Sequence, residues 1–190
     1  MTQSSTRLDV PTRVLHLGLA VFGTWAWWIG EDAHDYHKPD HSGYTLHMYV
    51  GLTFTAFLAA RLLWGFVGPR ELRFTAWFPW TRERFGKVKT DIVTLTHFKM
   101  PEPVTHQGLN AMVQSLALVL FTWQGISGVL MAILIVPGEK TTGWLSVVRE
   151  IHHEWGGIWI PTYLGLHVGA AALHALTGRQ IWRKMIFISE

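Results

Sequence analysis

Four long apolar blocks, expected as helices near 14–30, 46–68, 109–136 and 153–176, constrain this chain more than any other feature. Each is long enough to approach or cross about 30 Å of hydrocarbon. Apolar residues gathered in blocks, rather than scattered at core periodicity, are a membrane pattern. A segment in lipid must satisfy its own backbone hydrogen bonds, which a helix does. The expected fold is therefore all-α: an integral membrane four-helix bundle, with residues 1–190 as a single domain.

Charge orients the bundle. Thirteen of the sixteen Lys and Arg residues fall in the N-terminus, the connection after the second block, the C-terminal tail and Arg61. The other two connections hold only Lys38, Lys140 and Arg149. Positive loops stay inside, so both termini of a multi-pass membrane protein are expected in the cytoplasm. This distribution explains the basic balance without nucleic acid. Arg7 and Arg13 before the first block suggest a secretory signal. However, Glu31-Asp32-Ala33-His34 follows in place of a small-residue cleavage pattern, so an uncleaved first helix is expected. Trp25, Trp27 and Trp28 suit an interfacial belt at its outer end. Residues 74–98 mix aromatic and basic side chains, including Trp77, Trp80, Arg82, Arg84 and Lys87, as expected of an amphipathic helix on the cytoplasmic lipid surface.

Histidine is costly at membrane depth and marks function there. His16 opens the first helix on the cytoplasmic side and His47 opens the second on the outer side. His153 lies at the outer entrance of the fourth helix, with His167 deeper. Fourteen residues separate the last two, nearly four turns, so they share a face roughly 21 Å apart along the axis. Depth then pairs His16 with His167 and His47 with His153. Each pair can supply two neutral imidazoles to one haem iron. The chain has no cysteine, which excludes thiolate metal sites and covalent C-x-x-C-H haem attachment. The expected cofactors are two non-covalent b-type haems enclosed by the bundle, with iron ligated by His16 and His167 on the cytoplasmic side and by His47 and His153 on the outer side.

Neighbouring residues leave alternatives open. Arg61, fourteen residues past His47, can pair with a haem propionate or snorkel as a positive-inside residue. Gly51, Gly156, Gly157, Gly165 and Gly169 suit either a close macrocycle or helix packing. His152 points about 100° from His153 on an ideal helix, and the spacing to His167 favours His153. His106 and His174 suit a haem edge, a quinone or a structural hydrogen bond. The acidic loop 31–41, with His34, His37 and His41, suits either polar surface or a divalent metal.

Three stretches resemble one family: Asp9-Val10-Pro11-Thr12-Arg13-Val14-Leu15-His16, Arg61-Leu62-Leu63-Trp64-Gly65-Phe66-Val67-Gly68, and His153-Glu154 with Gly165-Leu166-His167. Together they resemble the bacterial cytochrome b561 family, which includes the cytochrome b subunits of nickel–iron hydrogenases. The resemblance implies the same four ligands and two haems. It also implies electron exchange with the quinone pool at one end and with a periplasmic cytochrome c or redox enzyme subunit at the other. The basic aromatic segment looks like the hydrogenase branch. Members serving hydrogenases often carry an additional helix, whereas the tail Arg179-Gln180-Ile181-Trp182-Arg183-Lys184-Met185-Ile186 resembles the family's usual ending.

The expected function is electron transfer across the cytoplasmic membrane, alone or within a quinone-linked oxidoreductase. A divalent-metal transporter is one alternative, but it calls for carboxylates deep in the helices, where this chain has none. A passive anchor for a periplasmic redox enzyme is another, and it leaves four depth-matched histidines unexplained.

Overall fold

Asp9 starts the first helix. Its carboxylate accepts from the Thr12 backbone N–H at 3.2 Å and from the Thr12 hydroxyl at 2.7 Å. Such a cap stabilises a helix by about 1 kcal/mol. Helix α1 follows as Val10–Trp28 and places His16 in its second turn. The structure, a computed structural model, describes residues 8–97, 99, 101, 108–178, 183 and 185. Among these residues it is all-helical: α1, α2 (Ser42–Val67), α3 (Phe74–Trp77), α4 (Arg82–Thr96), α5 (Gly108–Leu134) and α6 (Gly143–Leu176), with short 3-10 helices at Glu31–His37 and Arg70–Leu72.

Two compact units divide the chain: Met1–Arg61 with Thr122–Glu190, and Leu62–Phe121. In the first, the Asp35 carboxylate accepts from the backbone N–H groups of Gly43 (2.9 Å) and Tyr44 (2.8 Å) at the start of α2. These helix-end donors would otherwise lack partners. Helix α2 therefore begins before the expected position 46, and His47 sits in its second turn rather than opening it. Buried Tyr36, Tyr44 and Ile135 form a cluster with Met48, Met131 and Leu145 packed around it.

The second unit is built around Phe74, Trp77 and Ala111, with Leu62, Phe78 and Leu118 against them. The amphipathic helix expected over 74–98 is instead two helices. Pro79 lacks an N–H and drives the preceding residue out of the helical region. Phe78 accordingly has φ −60° and ψ 135°. Trp77 is 2 % exposed and donates its Nε1–H to the Leu72 carbonyl at 3.1 Å, so this tryptophan is a core residue rather than a lipid-surface anchor. The Asp91 carboxylate accepts from the Leu109 N–H at 2.8 Å and caps α5.

Helices α2 and α5 are long and apolar enough to cross a membrane by length and composition. Arg13 and His16 lower the hydropathy of α1, and Arg149, Glu150, His152, His153 and Glu154 lower that of α6. The 34 residues of α6 span about 51 Å at 1.5 Å per residue. The helix begins ten residues before the expected 153, because its charged first turns read as loop on a hydropathy scale. Large apolar side chains point outward along the long helices, among them Leu63, Val119, Ile133 and Leu166. Such surfaces suit lipid better than water.

Candidate functional site: two facing histidine pairs

His16 on α1 and His167 on α6 face one another with ring centres 6.2 Å apart and planes inclined by 46°. Tyr163, one turn before His167, stacks on its ring at 5.4 Å and 22°. Arg61 lies within electrostatic range of His16, as does Asp9 of Arg61. The structure thus puts Arg61 at the His16 end, where its spacing from His47 directs it.

His47 on α2 meets a different partner from the one expected. Its ring faces His152, with centres 6.3 Å apart and planes at 89°. His153 faces His34 instead, edge-on at 4.8 Å. The phase argument that favoured His153 assumes an ideal helix between it and His167. Pro161 lies inside that stretch, removes a backbone hydrogen bond and is the usual cause of helix distortion. Even on an ideal helix His152 and His153 lie about 60° and about 40° to either side of the His167 face, so phase alone does not fix which of the two faces inward.

Both rings of this second pair are oriented through Nδ1. His47 Nδ1 is 3.0 Å from the Ala26 carbonyl oxygen, which can only accept, so Nδ1 carries the proton and Nε2 a lone pair. His152 Nδ1 is 2.7 Å from Ser127 Oγ. The Ser127 hydroxyl donates to the Trp123 carbonyl at 2.7 Å, so it accepts from His152. A hydrogen bond at one ring nitrogen that leaves the other free is the usual arrangement around a metal-binding histidine. Ser127, fully buried in α5, escaped sequence reasoning; a hydroxyl within an apolar run was the available signal.

The donor sets fit a haem. A metal–imidazole bond is about 2 Å and the ligating nitrogen sits roughly 1 Å from the ring centre, so two opposed imidazoles on one metal stand about 6 Å apart. Both pairs meet that separation. A Cβ added to Gly51, Gly157, Gly165 or Gly169 would meet no atom within 4 Å, leaving open helix surface near the rings. Other glycines serve packing: a Cβ at Gly18 would strike the Phe57 ring, and one at Gly156 would lie 2.8 Å from Gln124 Nε2. His174 is half-buried in the last turn of α6, and His106 lies outside the described residues.

Comparison with known proteins agrees with this chemistry. The sequence model of the prokaryotic cytochrome b561 family matches residues 7–187, nearly the whole chain. No curated protein and no solved structure matches it. The chain belongs to the prokaryotic cytochrome b561 family, membrane b-type cytochromes that bind haem and transfer electrons.

Proposed function

We propose that the chain is a dihaem cytochrome that carries electrons across the prokaryotic cytoplasmic membrane. The observation that carries this reading is the two facing histidine pairs, 6.2 and 6.3 Å between ring centres, at the separation that bis-imidazole ligation requires. His16 and His167 would hold one haem b on the cytoplasmic side, and His47 and His152 would hold the other on the periplasmic side. When bound, each haem would supply a one-electron carrier, and the paired histidines would be its ligands.

The chain supplies position, axial ligation and a low-dielectric surround. The Ala26 carbonyl and Ser127 hydroxyl fix the His47 and His152 rings and their tautomers. Arg61 presents a planar fork suited to a propionate carboxylate near His16. Helices α1, α2, α5 and α6 are the four spans, with both termini in the cytoplasm, as the Lys and Arg distribution supports.

One end exchanges electrons with the quinone pool, and the other with a periplasmic cytochrome c or redox enzyme subunit. The outer face carries Glu31, Asp32, Asp35, Asp40, Glu139, Glu150 and Glu154 against Lys38, Lys140 and Arg149. That excess steers a basic soluble partner.

Ligand substitution tests the assignment. His16→Ala and His167→Ala should remove the same haem, and His47→Ala and His152→Ala the other, read as half the pyridine haemochrome per chain. His153→Ala should retain both. Loss of the second haem from His153→Ala but not from His152→Ala would return the ligand role to His153.

A further inference from the structure

Helix α6 is longer than a bilayer is thick. Its 34 residues cover about 51 Å against roughly 30 Å of hydrocarbon. Tilt does not absorb the excess, since fitting that length would need about 54°, beyond the range of about 0–40° that spanning helices adopt. Residues 155–176 carry no Asp, Glu, Lys or Arg and alone cover about 33 Å. The charged first turns, 143–154, therefore stand about 18 Å clear of the hydrocarbon at the outer end. There Trp144 is 61 % exposed and Val147 57 %. At about 100° per residue they share one face with the exposed Glu150 and Glu154. We propose that this face of the α6 overhang is the docking surface for the soluble redox partner, a basic protein with an apolar patch on its contact face.

The opposite face of the overhang is held in place. Leu145 packs against the cluster of Tyr36, Tyr44 and Ile135, and the Arg149 guanidinium lies over the Tyr36 ring at 5.7 Å. A surface fixed before a partner arrives loses less freedom on binding than a loose loop would.

Trp144 has no use as a lipid anchor at that height. Trp155 and Trp159, both exposed, already stand where α6 enters the hydrocarbon, and Trp144 is about 16 Å further out. A large aromatic side chain exposed to water beside another apolar group is the usual anchor of a protein–protein contact. Glu150 and Glu154 form the acidic rim beside it. Arg149 Nη2 is 3.1 Å from a Glu150 carboxylate oxygen, yet the guanidinium is turned toward Tyr36 and the rim stays acidic. A second copy of the chain would set acid against acid across a two-fold axis, whereas a basic partner meets complementary charge. His152 and His153 follow Glu150 directly in the helix, so a partner docked here stands beside the outer haem.

This surface rests on the reading that the outer end meets a soluble redox partner, so the test reads docking and haem separately. The haem-loaded protein is placed in phosphatidylcholine nanodiscs, which carry no net lipid charge. Mitochondrial cytochrome c, a basic soluble redox protein, is the probe, and its binding is titrated at several ionic strengths. Saturable binding that weakens with salt is expected. Trp144→Ala combined with Val147→Ala should raise Kd about tenfold, as loss of an interface anchor does. Glu150→Gln combined with Glu154→Gln should flatten the salt dependence. Val119→Ala, on the lipid-facing side of α5, should bind as the parent does, and every variant should keep the parent's haem content. Salt-sensitive binding indifferent to Trp144→Ala with Val147→Ala would place the contact elsewhere on the outer face and overturn the proposal. So would absence of saturable binding at low salt, or a dimer of the parent that Trp144→Ala dissociates. Two haems per chain in the same samples would leave the dihaem reading standing in each of those cases, and fewer would overturn that reading instead.

Discussion

The two histidine pairs have similar separations but different supports. His47 and His152 each carry a hydrogen bond at Nδ1, from rings at 89° to one another. His16 and His167 carry no ring hydrogen bond among the described residues; Tyr163 stacks on one of them, and the Asp9 cap and Arg61 lie near the other. One pair is therefore oriented by directional bonds, and the other by packing and by where α1 begins. Orientation by a hydrogen bond fixes tautomer and ring angle, whereas packing tolerates small rotations. The structure thus builds two facing histidine pairs whose ring geometries are controlled independently.

The largest expected effect that separates them comes from ligand loss, with each His→Ala substitution removing one haem and sparing the other. Next is Ser127→Ala. It leaves the buried His152 N–H without its acceptor, at a cost of about 1–3 kcal/mol. Affinity for the haem at His47 and His152 should fall about 10–100-fold, the usual penalty for removing an outer-shell partner. Haem at His16 and His167 should be retained, and haem quantitation after dilution checks both. An equal loss from the two sites would break the distinction drawn between them.

Arg61→Gln should act on the opposite centre. Removing a nearby positive charge disfavours the reduced state, so redox titration should find a lower midpoint for the haem at His16 and little change in the other. The smallest effect is expected from Asp9→Ala, which removes the cap of α1 at about 1 kcal/mol. A small fall in thermal stability should accompany a broader spectrum of the haem at His16 alone.

Much of this was legible in the sequence, and the exceptions have identifiable causes. The four apolar blocks overlap helices α1, α2, α5 and α6, of which α2 and α5 are long and apolar enough to cross a membrane. His16 and His167 face each other as their depths imply, since opposed helix directions bring those positions level. Phase alone does not separate His152 from His153, which stand about 60° and about 40° to either side of the His167 face on an ideal helix. The early start of α6 was hidden by Arg149 and Glu150, which obey helix propensity but not hydropathy. The break between α3 and α4 was available in Pro79 but outweighed by the amphipathic composition around it. The hydroxyl in an apolar run marked Ser127, but its bond to His152 and that of the Ala26 carbonyl to His47 are tertiary contacts that no local pattern encodes.

The central claim, two bis-histidine haems with distinct ring geometry, is tested most directly by electron paramagnetic resonance of the oxidised protein, with haem quantitation on the same sample. Perpendicular imidazole planes give a more anisotropic low-spin ferric signal than less crossed ones. Two low-spin signals of equal spin are expected, one highly anisotropic and lost in His152→Ala, the other lost in His16→Ala. A single haem per chain, or a high-spin signal from either centre, would contradict it.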